Sequence, residues 1–463
     1  MGKMAKGEEN GRQRANFVPA RFGGIFFLST AQKGLLAALM LGVFLGAADL
    51  SLLAPGLQPV ARAFHVPTAI ASWLVTLYGI VYAASLPVLG VLGDRHGRRR
   101  MFALGGAVFG LGSLAAGFSH GLWLLLLGRG LQALGAAAVL PLASAEIGHA
   151  FPADRRGALL GVLGLVYGVA AIIAPPIGGV LVAEFGWRWL FFATAPVGAV
   201  VTLLALLYVS EGTHPVPEPP DVQGAVLTAL MAGAVLLGAE MLHRQVLPLG
   251  WASLVFGLLL LPNLVLWERA AASPIFRGGP RIASVYLLGA LSAAVTAVAL
   301  FVPLYAMHAL RLGEAASGTA LLPMAVAGAA TSYYGGRLVD KRGVTLVLLA
   351  GFLLMAVGGA AVAVVAGPFG LIAGLLLVGG GVGLTMGSPL QYLLLGLAPK
   401  AQAGSAQALL GTFRALGVAI GPVIYGGMLP AFTDLFLAAA AIGFLGLVAT
   451  LTLWGTRLSP DPV

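Results

Sequence analysis

Apolar runs long enough to cross a membrane follow one another along this chain from about residue 34 to residue 455, each closed by a short turn that carries polar residues or glycine. A helix rising ~1.5 Å per residue needs about 20 such residues to traverse a ~30 Å hydrocarbon core. The pattern predicts fourteen spans, at 34–56, 69–92, 101–119, 121–148, 157–183, 188–209, 222–241, 248–267, 281–306, 316–338, 344–366, 369–395, 402–428 and 432–455. The fold class expected is an all-α polytopic membrane protein.

Composition removes the soluble classes: 59% of the 463 residues are hydrophobic, 9% are charged, and the mean hydropathy is +0.97. A net charge of +10 would suit nucleic acid, but Lys and Arg cluster in short loops, where they set orientation instead. With the N-terminus inside, the inner loops receive Arg95, Arg98, Arg99, Arg100, Arg155, Arg156, Arg269, Arg277, Lys341, Arg342 and Lys400. The outer side keeps Arg62, Arg188, Arg244 and Arg311. That bias places both termini in the cytoplasm; a multi-pass monomer in a cell's inner (plasma) membrane is expected. Residues 1–33 form a basic cytoplasmic tail whose apolar patch, Phe22–Leu28, is too short to cross and reads as an interfacial segment. Lys6 stands where a myristoylation site would need Ser or Thr. The chain has no cysteine, so disulfide and thiol chemistry are absent.

Two turns share a signature. Gly90-Val-Leu-Gly-Asp94-Arg95-His-Gly97-Arg98-Arg99 returns 246 residues later as Gly336-Arg-Leu-Val-Asp340-Lys341-Arg-Gly343. Ala158-Leu-Leu-Gly161 leads to Pro175-Pro-Ile-Gly178-Gly179, much as Ala408-Leu-Leu-Gly411 leads to Gly421-Pro422 and Gly427. A repeat at this spacing in an apolar chain means two homologous halves facing each other across a central path, 34–209 and 281–455. The linker 210–280 holds a further helical hairpin, 222–241 and 248–267, joined by His243-Arg244-Gln245 and without a partner in either half. It is expected at the periphery or between the halves, not on the path. Residues 456–463 form a second cytoplasmic tail.

These motifs resemble the major facilitator superfamily, and six plus two plus six spans is the arrangement of its fourteen-helix drug:proton antiporter branch. Asp49 followed by Pro55, Trp73-Leu-Val-Thr76-Leu-Tyr78, Arg129-Gly-Leu-Gln132-Ala-Leu-Gly135 and Trp187-Arg188-Trp189 resemble motifs of that branch. The fifth-span antiporter motif is present as Pro175, Gly178 and Gly179, with Ala170 and Ala174 where the branch has glycine. The resemblance implies two pseudo-symmetric six-helix bundles plus the inserted hairpin. It also implies that Asp49 and Arg129 couple transport to protons, and that the signature residues Gly90, Asp94, Arg95, Gly97, Arg98, Gly336, Asp340 and Lys341, with Glu146, form a gate latch.

The residues support the same reading independently. Asp49, Arg129 and Arg414 lie well inside spans, where an ionisable side chain needs a partner or a cavity. Asp49 stands about 24 Å above Lys33 and Arg129 about 12 Å below Gly121, so their depths match within several ångströms. Burial opposes charge on Asp49 while a guanidinium favours it, the balance a proton switch requires. The alternative is a permanent ion pair fixing the first span against the fourth. Asp94 can accept from a neighbouring helix N-terminus and Arg98 can reach Glu146. Arg414, near the midplane, either meets an anionic substrate group or hydrogen-bonds backbone carbonyls. Trp73, Tyr78, Gln132, Tyr167, Tyr305, Met324 and Arg414 are the substrate-cavity candidates. Gly379–Gly383 lacks the Lys-Ser/Thr of a phosphate loop, which argues against ATP-driven transport.

The function expected is proton-coupled secondary transport exporting hydrophobic or amphiphilic small molecules by alternating access. No metal or cofactor beyond the proton gradient is expected, and the partners are the small-molecule substrate and the lipid bilayer, without nucleic acid. The rivals are a lipid or lipid-linked-sugar flippase and an anion or metabolite carrier on the same scaffold. A membrane acyltransferase centred on His149 and Asp154 is the rival from another class.

Overall fold

The computed structural model describes residues 28–453 apart from 212–220, 277–278, 312, 314–316, 318, 366 and 452. The tail 456–463, the tail 1–33 up to residue 27, most of the Phe22–Leu28 patch and Arg277 lie outside the described residues. The regular structure described is helical throughout. Six long helices form the first half: α1 Thr30–Leu52, α2 Trp73–His96, α3 Arg98–Gly117, α4 Leu122–Ala150, α5 Ala153–Phe185 and α6 Trp189–Tyr208. The hairpin is α7 Val222–His243 and α8 Leu247–Ala270. The second half is α9 Gly279–Thr296, α10 Leu322–Arg342, α11 Val344–Val364, α12 Pro368–Met386, α13 Ala403–Gly426 and α14 Phe432–Leu451. Short helical pieces, Val302–His308 and Pro389–Leu397, prolong α9 and α12.

Thirteen spans, counting these prolongations, are long and apolar enough to cross a membrane. The remaining long helix, α10, is less apolar and packs on α5 and α12, and it brings the described total to fourteen. Its polarity comes from Thr331, Ser332, Arg337 and the closing Asp340-Lys341-Arg342. The outward face of the bundle is apolar, with Trp123 86% and Phe369 77% exposed, as a lipid-facing surface must be. Both signature turns reverse the chain at a left-handed glycine, Gly97 at φ 95° and Gly343 at φ 84°. Only glycine takes that conformation at little cost, so α3 and α11 restart at once.

Each half is held together by glycine-on-backbone contacts in the same register. A Cβ added at Gly112 of α3 would stand 2.7 Å from the Gly128 carbonyl of α4. A Cβ at Gly358 of α11 would stand 2.7 Å from the Gly374 carbonyl of α12. Gly105 against Gly135, and Gly351 against Gly381, repeat the contact two turns along. All four glycines of the first half recur 246 residues later. With no side chain between them the backbones approach closely, which is how helices gain packing energy in lipid.

Between the halves α2 faces α13 and α5 faces α10. Here the structure corrects the sequence alignment of the fifth spans. Gly157 and Ala158 meet Asp340 as Gly404 and Ser405 meet Asp94, an offset of 247 residues. The matching Ala-Leu-Leu-Gly strings at 158 and 408 are 250 apart and therefore not equivalent. Small residues recur so often on both helices that a shift of about one turn leaves the pattern intact.

Helix α7 lies along α2 and touches α13, while α8 packs on α7 and leaves Leu258 and Leu266 facing outward. The hairpin is fastened at the end away from the signature turns. Arg244 Nε donates to Glu240 at 2.6 Å, Nη1 to the Ala69 carbonyl at 2.8 Å and Nη2 to Ser72 Oγ at 2.9 Å, with the guanidinium 5.0 Å above the Trp73 ring. At the other end Gln402 Nε2 donates to Ser273 Oγ at 2.8 Å, joining the connector after α8 to the start of α13. Arg244→Ala is expected to lower the stability of the purified protein by about 1 kcal/mol, read as a lower Tm, because these bonds are partly solvated. Transport should persist, and its loss at unchanged Tm would assign Arg244 to the transport machinery.

Candidate functional site

The deepest polar group is built on α1 and α4. Arg129 is wholly buried and Asp49 is 3% exposed, with Arg129 Nη1 2.6 Å from Asp49 Oδ2. The same nitrogen donates to Gln132 Oε1 at 2.8 Å, Arg129 Nε donates to the Leu74 carbonyl at 3.1 Å, and the guanidinium lies 4.4 Å over the Tyr78 ring. Gln132 Nε2 reaches Ser113 Oγ at 2.8 Å and Asp49 Oδ1 at 3.3 Å, and Thr194 donates to Ser113 at 3.2 Å. Arg129 Nη2 and the Tyr78 hydroxyl are buried without a partner. Four helices thus converge on one carboxylate, and the guanidinium keeps a spare donor.

The second half omits this network. In the 246-residue register fixed by the glycine contacts, Leu375 stands for Arg129 and Val378 for Gln132, both buried in an apolar core cluster. The same helix pair therefore packs without charge. A buried ion pair is seldom worth more than well-packed apolar residues, so the pair is not a requirement of this architecture.

The two signature turns make reciprocal contacts across the halves. Asp94 Oδ1 accepts from Gly404 N at 2.9 Å, and its Oδ2 accepts from Ser405 N and Ser405 Oγ, each at 2.7 Å. Asp340 accepts from Gly157 N at 3.1 Å and Ala158 N at 2.9 Å. Asp94 caps the first turn of α13, where unpaired N–H groups and the helix dipole favour a negative charge, and Asp340 accepts from the second turn of α5, still on the positive end of that helix. Arg98 stands 3.9 Å from Asp94 and 3.7 Å from Glu146, and donates to the Lys400 carbonyl at 3.3 Å. Ser210 holds Glu146 at 2.8 Å. Gly90 and Gly336 bring the helices together: a Cβ at Gly90 would stand 2.5 Å from Ala408 Cβ, and one at Gly336 would collide with the Gly157 carbonyl. Arg95 and Lys341 are exposed beside these caps, and Gly97 supplies the turn.

Contact between the halves runs from these caps to Ala83–Thr412 and Gly168–Ala329. Asp94 and Ala83 are about 17 Å apart along α2. Beyond that level Tyr82 and Arg414 face the path from α2 and α13, and Tyr167, among other side chains on α5, is 45% exposed. The molecule is thus closed on the signature side.

The remaining candidates separate. Gln132 and Tyr78 belong to the ion-pair network, and Trp73 lies under Arg244 against the hairpin. Tyr305 packs edge-on against Phe432 and Phe436, at 5.4 and 5.2 Å, and buried Met324 backs onto Gly379. Gly178 abuts the Leu52 carbonyl at the end of α1, Ala170 and Ala174 are buried in the same cluster as Leu52, and a Cβ at Gly179 would meet open space. Pro175 sits inside α5 between them. Ser113, Thr194, the Leu74 carbonyl and Ser405 escaped the sequence reading, although Ser405 close behind Pro399 at a helix start was a visible signal. Among the described residues no cluster of three His, Asp or Glu could hold a metal ion.

A family model for the Major Facilitator Superfamily matches residues 39–422. The uncharacterized MFS-type transporter YfiU of Bacillus subtilis (strain 168) is 30% identical over 423 residues, 87% of this chain and 81% of that protein. The multidrug resistance protein Stp of Mycobacterium tuberculosis (strain CDC 1551 / Oshkosh) is 28% identical over 92% of this chain and 79% of its own length. Among solved structures, the human organic anion transporter MFSD10 (TETRAN) superposes with a TM-score of 0.70 at 14% identity, covering 91% of this chain and all of that one, a likeness of fold alone. With its two repeated bundles, reciprocal helix caps and a family match along most of its length, the chain belongs to the Major Facilitator Superfamily and is a transporter, not an enzyme.

Proposed function

We propose that this transporter is proton-coupled and exports hydrophobic or amphiphilic small molecules across a cell's inner membrane by alternating access, with both termini cytoplasmic. One observation carries the reading: a buried Asp49–Arg129 pair, ringed by Gln132, Ser113 and Tyr78, occupies the first half alone, while the equivalent helices of the second half pack with Leu375 and Val378. A carboxylate kept at such a depth against the preference of the fold is suited to taking up and releasing a proton as access changes. Protonation would remove its charge and release Arg129, whose spare Nη2 and neighbouring Gln132 can take up new partners. The names of two relatives, the multidrug resistance protein Stp and the drug efflux pump JefA of Mycobacterium tuberculosis (strain CDC 1551 / Oshkosh), support the substrate class and the efflux direction. The reciprocal caps supply a closed state on the cytoplasmic side.

The test is a transport screen in proteoliposomes with an imposed pH gradient. The reading expects uphill movement of at least one amphiphilic solute, accompanied by proton counterflow and abolished by a protonophore. Solute movement that is indifferent to the gradient, or proton flow in the same direction as the solute, would overturn it.

A further inference from the structure

We propose that Arg414, with Tyr82 and Tyr167, forms a subsite for the anionic head of an amphiphilic substrate, a carboxylate or sulfonate. This deepens the export reading and rests on it only in calling the bound molecule a substrate.

The stem of Arg414 runs past α9 where Gly289 leaves room; a Cβ there would stand 3.6 Å from Arg414 Cγ. The head lies within electrostatic reach of Tyr82 and Tyr167, just beyond Thr412, which reaches the Ala83 carbonyl of the other half. Its Nε and Nη2 are shielded from solvent and have no hydrogen-bond partner. Among the described residues no carboxylate pairs with it, in contrast to Arg129, whose charge is matched by Asp49. Both tyrosines come from the first half, Tyr82 on α2 and Tyr167 on α5. Tyr167 is 45% exposed and so is not sealed into the core.

The second half offers an internal comparison. In the 247-residue register Tyr167 is the counterpart of Arg414, and in the 246-residue register Gly328 is the counterpart of Tyr82. The two sides of the path are therefore unlike, and one carries an unmatched cation. A desolvated guanidinium with free donors is costly to leave empty, whereas a planar anion satisfies its fork with charge-assisted bonds. The Tyr82 ring, stacked on Tyr78 at 6.3 Å, offers an apolar face for the tail of the same molecule.

The test is calorimetric titration of the purified full chain, without a gradient, with three probes that share one tail: 4-octylbenzoate, 4-octylbenzamide and 4-octylbenzylammonium. The benzoate should bind about tenfold or more tightly than the amide, and the ammonium most weakly. Arg414→Gln should erase that ranking and leave the amide affinity unchanged, while Arg414→Lys, which keeps the charge but loses the fork, should retain part of it. Should Arg414→Gln fail to fold, Tyr167→Phe decides, since it should weaken the benzoate alone by a few-fold. Equal affinity for the three heads, or a benzoate preference that survives Arg414→Gln, would overturn the subsite. If the preference stands but no solute moves with the pH gradient, the export reading falls and the subsite does not. If gradient-driven export is present without a headgroup preference, only the subsite falls.

Discussion

Asp49→Asn is expected to abolish uphill, pH-driven export while downhill exchange of the same solute remains measurable. Asparagine keeps the shape of the side chain, and its oxygen can still accept from Arg129 Nη1, now 2.6 Å from a carboxylate oxygen, while its amide nitrogen replaces the oxygen that accepts from Gln132 Nε2 at 3.3 Å. It removes the titratable group and leaves Arg129 with its charge unmatched. Breaking a buried pair by removing one partner costs about 3–5 kcal/mol, so lost transport could come from lost structure. The second half supplies the control: Arg129→Leu with Gln132→Val, added to Asp49→Ala, reproduces the apolar packing around Leu375 and Val378. That triple variant should fold as well as the parent and remain uncoupled. Normal uphill export by Asp49→Asn across several external pH values would remove Asp49 from the coupling step.

Asp94→Asn should shift the population toward molecules open at the signature face, with little change in the intrinsic affinity of either state. Its carboxylate accepts three hydrogen bonds from the start of α13, each at 2.7 to 2.9 Å. Bonds to a charged acceptor are worth about 1.5–3 kcal/mol, so losing even one moves the equilibrium by roughly tenfold or more. Asp340→Asn should act in the same direction through α5. The two caps close separate contacts, so the double variant should be near additive. Spin-label distances across the signature face would read the shift. An unchanged distance distribution with a large loss of affinity would place Asp94 in substrate binding instead.

Much of this architecture was readable from periodicity and repetition. Span length alone placed the long helices within a few residues, and the duplicated signature announced two halves before any contact was known. Depth along the helices brought Asp49 beside Arg129, because an embedded acid and an embedded base have few places to go. Three things were not readable. The register of α5 against α13 failed because an identical Ala-Leu-Leu-Gly string outweighed the prolines that precede the two helices, Pro152 and Pro399, which share the 247-residue offset of Gly157 and Gly404. Trp73 looked like a cavity residue because nothing in its own segment reveals that Arg244, 171 residues away, folds over it. Ser113 and Thr194 joined the ion-pair network from helices whose hydroxyls look like ordinary packing, and which face a hydroxyl presents depends on helix rotation, which a nearly uniform apolar sequence leaves undefined.

The seam between the halves has a mechanical consequence. Where α2 meets α13 and α5 meets α10, Gly90 and Gly336 set backbone against small side chains or backbone, and where a larger side chain such as Leu86 crosses, it lies against a glycine, Gly411. Smooth surfaces of this kind slide apart without rotamers having to rearrange in concert. Friction at the seam is therefore low, and the two carboxylate caps act as its detents: they set how long the closed state dwells, while the rigid glycine-packed bundles on either side transmit the movement as levers.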